Sequence, residues 1–192
     1  MVDIQCKNLS YSFLGKRILK PTSFEIYEND KLAIFGSKNT GKTTLILILA
    51  GILNHKGKIL VTSKEKLKIG LGVIEKVNNL SERMTVKENL AFYLRQGKDR
   101  EKLEKFDIRN ILNIRLENLS HLDKAFLSVV IASINNPDII LLDEPTEGLT
   151  ESETKIFWER VRKQIENKTV VFTTSKESEL INATKLIYLD KQ

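Results

Sequence analysis

The sequence predicts an α/β fold in which a parallel core has a β-rich entry and a helical insertion. One observation is an apolar strand pattern at residues 31–35, which leads into a glycine-bounded loop at 36–44 and an apolar stretch at 45–53. Another is a segment of helical pattern that runs from about residue 82 to 135. Apolar strand patterns then return at residues 139–142, 170–173 and 186–189. Strands that alternate with helices are typical of a parallel sheet.

The length and composition of the chain limit what it can be. Its 192 residues suffice for one well-buried α/β domain but not for two full ones. The longest apolar run, residues 45–53, is far shorter than the roughly twenty residues that cross a bilayer, and the first residues lack a signal-peptide pattern. Cys6 is the single cysteine and falls in an alternating strand pattern, which predicts a buried thiol. We therefore expect a cytoplasmic protein.

The chain is basic, with a formal net charge of +6 and a pI near 9.3. Lysines are densest around a predicted hairpin of strands 58–62 and 69–74, at Lys56, Lys58, Lys64, Lys66 and Lys68. Nucleic acid or an anionic membrane surface could use such a patch. No aromatic residues are interleaved for base stacking, which favours a solvated surface, and no nucleic-acid partner is expected.

The remaining elements follow from the spacing of apolar residues. Val2, Ile4 and Cys6 alternate with polar residues, as does segment 23–27, which predicts half-buried strands ahead of the buried strand 31–35. Helices are predicted at residues 86–95, 100–106, 108–114, 125–134 and 151 to about 166. The last of these helices has an apolar stripe formed by Phe157, Val161 and Ile165.

The loop after strand 31–35 has the composition of a phosphate-binding loop. Its residues are Gly36, Ser37, Lys38, Asn39, Thr40, Gly41, Lys42, Thr43 and Thr44. Backbone N–H groups of such a loop turn toward a polyphosphate, and the following helix directs its positive end at it. Lys42 is placed to reach the β- and γ-phosphate oxygens, and the Thr43 hydroxyl to ligate Mg²⁺.

A second group of candidate residues follows the strand at 139–142. Asp143 and Glu144 end this apolar strand as adjacent carboxylates. Carboxylates at strand ends are often solvated caps. In a chain with a phosphate loop, Asp143 is placed to hold the Mg²⁺ that Thr43 also contacts. Glu144 is placed to orient and deprotonate a water that attacks the γ-phosphate.

Three segments, taken in order, resemble the ATP-binding-cassette (ABC) ATPases. They are the phosphate loop, residues 84–90 (Met-Thr-Val-Lys-Glu-Asn-Leu) and residues 141–146 (Leu-Leu-Asp-Glu-Pro-Thr). The resemblance implies ATP and Mg²⁺ as cofactors, and catalytic roles for Lys42 and Glu144. It also implies that Phe13 stacks on adenine, with Tyr11 as the alternative.

The resemblance implies a P-loop NTPase core with an N-terminal antiparallel β subdomain and a helical insertion. The chain is then one domain, with its core at residues 1–81 and 136–192 and a helical subdomain at about 82–135. It would work as a homo- or heterodimer with another ABC ATPase chain. It would lie on the inner face of the membrane, held there by a separate transmembrane permease subunit, and the small size resembles export-type subunits.

Three family motifs are altered in this chain. The signature loop, Leu-Ser-Gly-Gly-Gln in the family, reads Leu-Ser-His-Leu-Asp at residues 119–123. Ser175 takes the place of the switch histidine, and Lys76, or Glu75 if the register slips, takes that of the Mg²⁺-sensing glutamine. In the family, the signature of one subunit grips the γ-phosphate held by the other, and side chains in place of the glycines obstruct that approach. We therefore expect ATP to bind well and to turn over slowly.

Smaller departures are compatible with the fold. Asn39 replaces a glycine, and asparagine tolerates a left-handed backbone. Thr150 replaces an aspartate and forms a capping-box pattern with Glu153. Ser120 and Asp123 have the pattern of a helix N-terminus.

Two alternatives remain open from the sequence. Lys76 or Lys176 could supply a compensating charge to the γ-phosphate, although an ordinary solvated lysine is favoured. The altered motifs also suit a regulatory subunit that binds ATP with little hydrolysis, paired with a more active partner. DNA-associated members of the superfamily are disfavoured, because the chain has neither a long coiled coil nor zinc-binding cysteines.

Overall fold

The computed structural model describes residues 4–62, 66–73, 80–94, 103 and 105–189. The N-terminal part forms a three-stranded antiparallel sheet from β1 (Ile4–Phe13), β2 (Lys16–Ile26) and β4 (Lys56–Val61), in the order β2-β1-β4. This confirms the β-rich entry, with strands longer than the alternation alone indicated.

A five-stranded parallel sheet forms the centre of the fold. Its strands lie in the order β5-β6-β7-β3-β8, and every neighbouring pair is parallel. The strands are β3 (Lys31–Phe35), β5 (Ile69–Val73), β6 (Ile139–Asp143), β7 (Thr169–Thr174) and β8 (Lys185–Tyr188). Because parallel strands end at the same edge, loops that are distant in sequence meet there.

The helices of the described residues are α1 (Lys42–Leu49), α2 (Val86–Ala91), α3 (His121–Ser133) and α4 (Glu151–Ile165). Thr85 and Thr150 each cap a helix in a reciprocal capping box with the glutamate three residues later, which confirms the pattern seen for Thr150 and Glu153. None of these helices has the length and apolar character of a segment that crosses a bilayer.

Helices and strands bury the parallel sheet on both faces. On one face Leu32 and Val171 lie in an apolar cluster with residues of α1 and of the antiparallel sheet. On the other face Ala33 and Phe172 lie in a cluster with residues of α2, α3 and α4. Neighbouring residues along a strand face opposite sides, so a strand buried on both faces has a continuous apolar run such as the one in β6.

Two predicted elements differ from the structure. The two strands of the predicted 58–74 hairpin do not pair with each other, because β4 pairs with β1 in the antiparallel sheet whereas β5 pairs with β6 in the parallel one. Segment 108–114 forms turns rather than a helix. Its carbonyls at Leu112 and Ile114 accept hydrogen bonds from the first N–H groups of α2 at 2.9 Å, so they are engaged in tertiary contacts.

Other boundaries were partly right. The helix predicted at 86–95 ends at Ala91, and most of the one predicted at 100–106 lies outside the described residues. The buried thiol of Cys6 is confirmed, and burial raises the pKa of this thiol to about 12. The division into a core and a helical subdomain stays a prediction.

Candidate functional site

Loops at the carboxyl edge of the parallel sheet surround a cleft of about 900 Å³. The phosphate loop follows β3, Asp143 ends β6, and Thr173 and Thr174 end the neighbouring β7. The cleft is lined by Lys16, Arg17, Ile18, Lys38, Asn39, Gly41, Lys42, Thr43, Thr44, Glu144 and Glu147. The structure thus places most of the predicted phosphate loop at one cleft with Glu144. Gly36, Ser37, Thr40 and Asp143 are not among the residues that line it.

The backbone of the phosphate loop depends on residues that accept unusual conformations or close contacts. A Cβ on Gly36 would lie 2.6 Å from the Leu189 carbonyl oxygen, and one on Gly41 would lie 2.7 Å from that of Ile18. Asn39 has a φ of 66°, as expected for an asparagine in place of glycine. The buried Thr40 hydroxyl donates to the Ser37 carbonyl at 3.0 Å and so stabilises the loop from within.

The ammonium of Lys42 is buried and lies among oxygen atoms. It donates to the carbonyls of Gly36 at 2.7 Å and Ser37 at 2.9 Å, and its Nζ forms an ion pair with Glu144 Oε1 at 3.0 Å. Two of the three N–H groups of the ammonium are thus donated to the backbone of the loop. The contact with the Glu144 carboxylate is the one that a phosphate in the cleft would compete for.

Thr173 fixes the two carboxylates that follow β6. Its hydroxyl donates to Asp143 Oδ1 at 2.7 Å and accepts the backbone N–H of Glu144 at 2.8 Å. Glu144 has a φ of 42°, a conformation that costs a residue other than glycine about 1–3 kcal/mol. The strained turn directs the Glu144 carboxylate toward Lys42 while Asp143 stays on the sheet edge. Sequence reasoning missed Thr173, although a polar residue at the end of a buried strand signals a site.

The oxygen ligands available here suit Mg²⁺ bound together with a phosphate. In the described part of the chain, no cluster of three or more His, Cys, Asp or Glu side chains is placed to hold a metal ion. Mg²⁺ commonly takes one or two protein ligands and completes its shell with phosphate oxygens and water. Thr43, which lines the cleft, carries a hydroxyl, and Asp143, which precedes the cleft residue Glu144, carries a carboxylate. Both are oxygen ligands of the kind that Mg²⁺ takes.

Phe13 is the cross-strand neighbour of a residue that lines the cleft. Phe13 is 58% exposed and pairs with Lys16, a cleft residue, on the β1–β2 hairpin. The alternative residue, Tyr11, packs against an apolar core cluster. Of the two aromatic residues, Phe13 is therefore the one accessible to a ligand. Its adenine-stacking role stays a prediction.

The sequence model of the ABC transporter family matches residues 19–147, which is more than half of the chain. The chain belongs to the ABC transporter family. Among curated relatives, Nod factor export ATP-binding protein I of Rhizobium etli is 28% identical over 91% of this chain. ATP-binding cassette sub-family A member 6 of Mus musculus is 30% identical over 89% of this chain. The chain spans 60% of the first relative's length and 12% of the second's.

Solved structures support the same fold. The nucleotide-free ATP-binding cassette of an ABC transporter superposes with a TM-score of 0.80 at 16% identity, covering 98% of this chain and 88% of that one. A dimeric bacterial ABC transporter cassette has a TM-score of 0.76 at 24% identity, covering 97% of this chain and 94% of that one. At these identities the likeness shows the fold, an ABC ATPase cassette. The family hydrolyses ATP.

The altered signature segment, residues 119–123, forms the start of α3. The Ser120 hydroxyl accepts the Asp123 N–H at 3.1 Å and donates to Asp123 Oδ2 at 2.7 Å, which confirms the helix-cap pattern. Asp123 also pairs with Arg160 on α4 at 3.2 Å. The side chains of Ser120 and Asp123 are therefore engaged inside the chain.

The segment that follows β7, where the ABC family carries its switch histidine, is also engaged internally. Lys176 Nζ donates to the carbonyls of Thr146 at 2.8 Å and Leu149 at 3.1 Å, and to the Thr154 hydroxyl at 3.2 Å. Lys176 is thus neither a solvated lysine nor a ligand of the cleft, since it fastens the loop after Asp143 to this segment. Lys76 lies outside the described residues.

Glu179, a buried acid, also contacts the loop that follows Asp143. Its side chain is 0% exposed, accepts a hydrogen bond from the Thr146 hydroxyl and lies 3.9 Å from Lys176 Nζ. Burial raises the pKa of the Glu179 carboxyl above its ordinary value, although hydrogen bonds and the lysine oppose that shift.

Proposed function

We propose that this chain is the ATP-binding subunit of an ABC transporter, and that it binds Mg-ATP in the cleft and hydrolyses it slowly. The proposal rests above all on Lys42, which is buried beneath the phosphate loop with Glu144 at 3.0 Å. A triphosphate in the cleft would bring its terminal phosphate to this lysine. No other cation is buried among the residues that line the cleft in the described structure.

The same contact suggests how binding prepares hydrolysis. The γ-phosphate competes with Glu144 for the Lys42 ammonium, and its greater negative charge favours the exchange. The released carboxylate then lies within reach of a water beside the phosphate, orients it and takes its proton. Thr173 holds the backbone of Glu144 and the carboxylate of Asp143 during this exchange. A bound Mg²⁺, ligated by Thr43 and Asp143, would neutralise charge on the phosphates.

Slow turnover follows from the segments that would serve a partner subunit. In a dimer that sandwiches ATP, residues 119–123 face the nucleotide of the other chain, and here they carry side chains where the family has glycine. The loss of one donor to the developing charge costs about a hundredfold in rate. We expect the missing switch histidine to add to this loss, because Ser175 cannot supply the same positive group.

The partner we propose is a separate transmembrane permease, with a second ABC ATPase chain completing a dimer on the inner face of the membrane. The dimeric cassette among the similar structures and the export proteins among the relatives support the dimer and an export-type system. Native extraction followed by affinity purification tests the permease. Recovery of a polytopic membrane protein in stoichiometric amount supports it, and recovery of the chain without any membrane protein contradicts it.

A second candidate function is a nucleotide-gated subunit that changes conformation on ATP binding and hydrolyses almost none. The internal bonding of Ser120 and Lys176 favours it, because the Ser120 hydroxyl and the Lys176 ammonium are both engaged in contacts within the chain. Single-turnover hydrolysis by the wild type and by Glu144→Gln separates the two candidates. A fall of about a hundredfold in the variant supports a catalytic Glu144. Equal rates support the gate.

A further inference from the structure

The charges around the cleft are not balanced. Of its four cations, Lys38 pairs with Glu147 at 3.1 Å and Lys42 pairs with Glu144 at 3.0 Å. The other two, Lys16 and Arg17, line the cleft from β2 and have no carboxylate within ion-pair distance among the described residues. We call these two residues the hairpin cation pair. Within the described part of the chain, two positive charges of the cleft thus have no paired carboxylate.

The hairpin cation pair lines the cleft from β2, directly before Ile18. The main chain of Ile18 closes against Gly41 at the start of α1, which places the β2 wall beside the first turn of that helix. Thr43 and Thr44 of that turn line the same cleft. A nucleotide with its terminal phosphate on Lys42 would thus extend past the first turn of α1 toward β2.

Phe13 and the hairpin cation pair are arranged to suit the part of a nucleotide between its base and its terminal phosphate. Phe13, the exposed aromatic ring of the hairpin, is the direct cross-strand neighbour of Lys16, so both side chains emerge on the same face. If the base stacks on Phe13, the group between the base and Lys42 is the ribose with its α- and β-phosphates. That is the part of the ligand nearest to Lys16 and Arg17.

We propose that the hairpin cation pair binds the α- and β-phosphates of the nucleotide, as a second anion-binding element opposite the phosphate loop. The inference rests on the proposed binding of Mg-ATP and extends it to the product. Both phosphates are present in ATP and in ADP, so the pair stabilises the two complexes equally. It therefore retains ADP after hydrolysis instead of selecting for ATP, and this slows the exchange of product for substrate.

The test is the affinity of the full chain for Mg-ATP and Mg-ADP, measured by titration calorimetry for the wild type and for Lys16→Ala/Arg17→Ala. The control is Lys56→Ala/Lys58→Ala, which removes the same charge from β4 of the same sheet, outside the residues that line the cleft. Because each cation would make a partly solvated, charge-assisted contact with a phosphate, we expect Lys16→Ala/Arg17→Ala to lose about five- to thirtyfold in nucleotide affinity. The proposal requires this loss for both nucleotides, an unchanged ratio of the two Kd values, and little effect in the control.

Several outcomes overturn the proposal. Unchanged affinities in Lys16→Ala/Arg17→Ala, a loss confined to ATP, or an equal loss in the β4 control would each contradict it while the wild type still binds ATP. Absence of binding by the wild type would instead contradict the proposed function. Lys16→Arg/Arg17→Lys keeps both charges, so its affinities should stay within about twofold of the wild type. A loss as large as that of the alanine variant in this charge-preserving variant would point to an altered hairpin structure and count against the proposal.

Discussion

The cleft and the segments that would face a partner subunit use their polar side chains differently. In the cleft, Lys42 holds Glu144 in an ion pair that an incoming phosphate can replace. At the start of α3, the Ser120 hydroxyl accepts one hydrogen bond from Asp123 and donates another to it. Both hydrogen bonds stabilise the helix cap. After β7, Lys176 is fastened to carbonyls of the loop that follows Asp143.

An altered motif can thus keep a structural role, such as starting a helix, after the residues used for catalysis in the family are replaced. Residues 119–123 still begin a helix, and Lys176 and Glu179 still hold the loop after Asp143. Side chains nevertheless replace the glycines of the family's signature, and Ser175 replaces its switch histidine. The cleft depends on residues of this chain only. We infer that nucleotide binding and fast turnover have been separated here, and the following predictions test that separation.

The largest expected effect comes from restoring the signature. His121→Gly, Leu122→Gly and Asp123→Gln together recreate the family sequence after Ser120. We expect kcat to rise about tenfold to a hundredfold, because backbone N–H groups regain access to the partner's γ-phosphate. The Kd for ATP should stay unchanged, since these residues do not line the chain's own cleft.

Steady-state hydrolysis and calorimetry measure the two quantities. The control is His121→Ala, which shortens one side chain but keeps a Cβ at the position. A restored signature that left kcat at the wild-type value would show that the loop does not limit turnover. The separation would then need another cause.

A smaller effect is expected when the support of the carboxylates is removed. Thr173→Val keeps the side-chain shape but removes the hydroxyl that bonds both Asp143 and the Glu144 N–H. We expect kcat to fall about tenfold and the free energy of unfolding to fall by about 1–3 kcal/mol, because a backbone N–H loses its partner.

Thr169→Val at the opposite end of β7 is the matched control. Its hydroxyl accepts the Asn29 N–H at 3.0 Å, remote from the cleft, so this variant should lose stability without losing activity. Chemical denaturation and single-turnover assays compare the two variants. Equal activity losses would show that Thr173 acts only through stability.

The smallest expected effect is the pH dependence that Glu179 contributes. Because burial raises the pKa of its carboxyl, the folded chain keeps the proton to a higher pH than the unfolded chain does. Stability should therefore fall as pH rises from the ordinary glutamate value of 4.5 through the raised one. Glu179→Gln should remove this decline, measured by denaturation between pH 4 and pH 8.

Glu177→Gln is the control for Glu179, because it changes an exposed glutamate in the same segment. It should leave the slope of stability against pH as it is in the wild type. A slope unchanged by Glu179→Gln would show that the buried acid is held equally well in both protonation states. Lys176 at 3.9 Å would then offset the effect of burial completely.

The sequence predicts those elements whose structure is determined by a local pattern of residues, and it fails where tertiary contacts decide. The parallel core, the phosphate loop and the acidic strand end carry local patterns, and the structure brings them to one edge as expected. The 58–74 hairpin was wrong because pairing between β1 and β4 depends on tertiary contacts that alternation does not encode.

Parts of the candidate site depend on spatial neighbours that the sequence separates. Lys16 and Arg17 lie on a strand with no recognisable motif, and only the closure of β2 against Gly41 brings them to the cleft. Thr173 acts through β7 lying beside β6. The roles of Lys176 and Glu179 likewise require the loop after Asp143 to be in place.

The decisive measurement is titration of the purified chain with Mg-ATP, for the wild type and for Lys42→Ala. We expect saturable heat for the wild type and a Kd at least about a hundredfold higher for Lys42→Ala, because the only buried cation of the described cleft is lost. Lys163→Ala, an exposed change on α4, should bind as the wild type does. No measurable heat with the wild type, or equal binding by Lys42→Ala, would show that Lys42 does not hold ATP in this cleft.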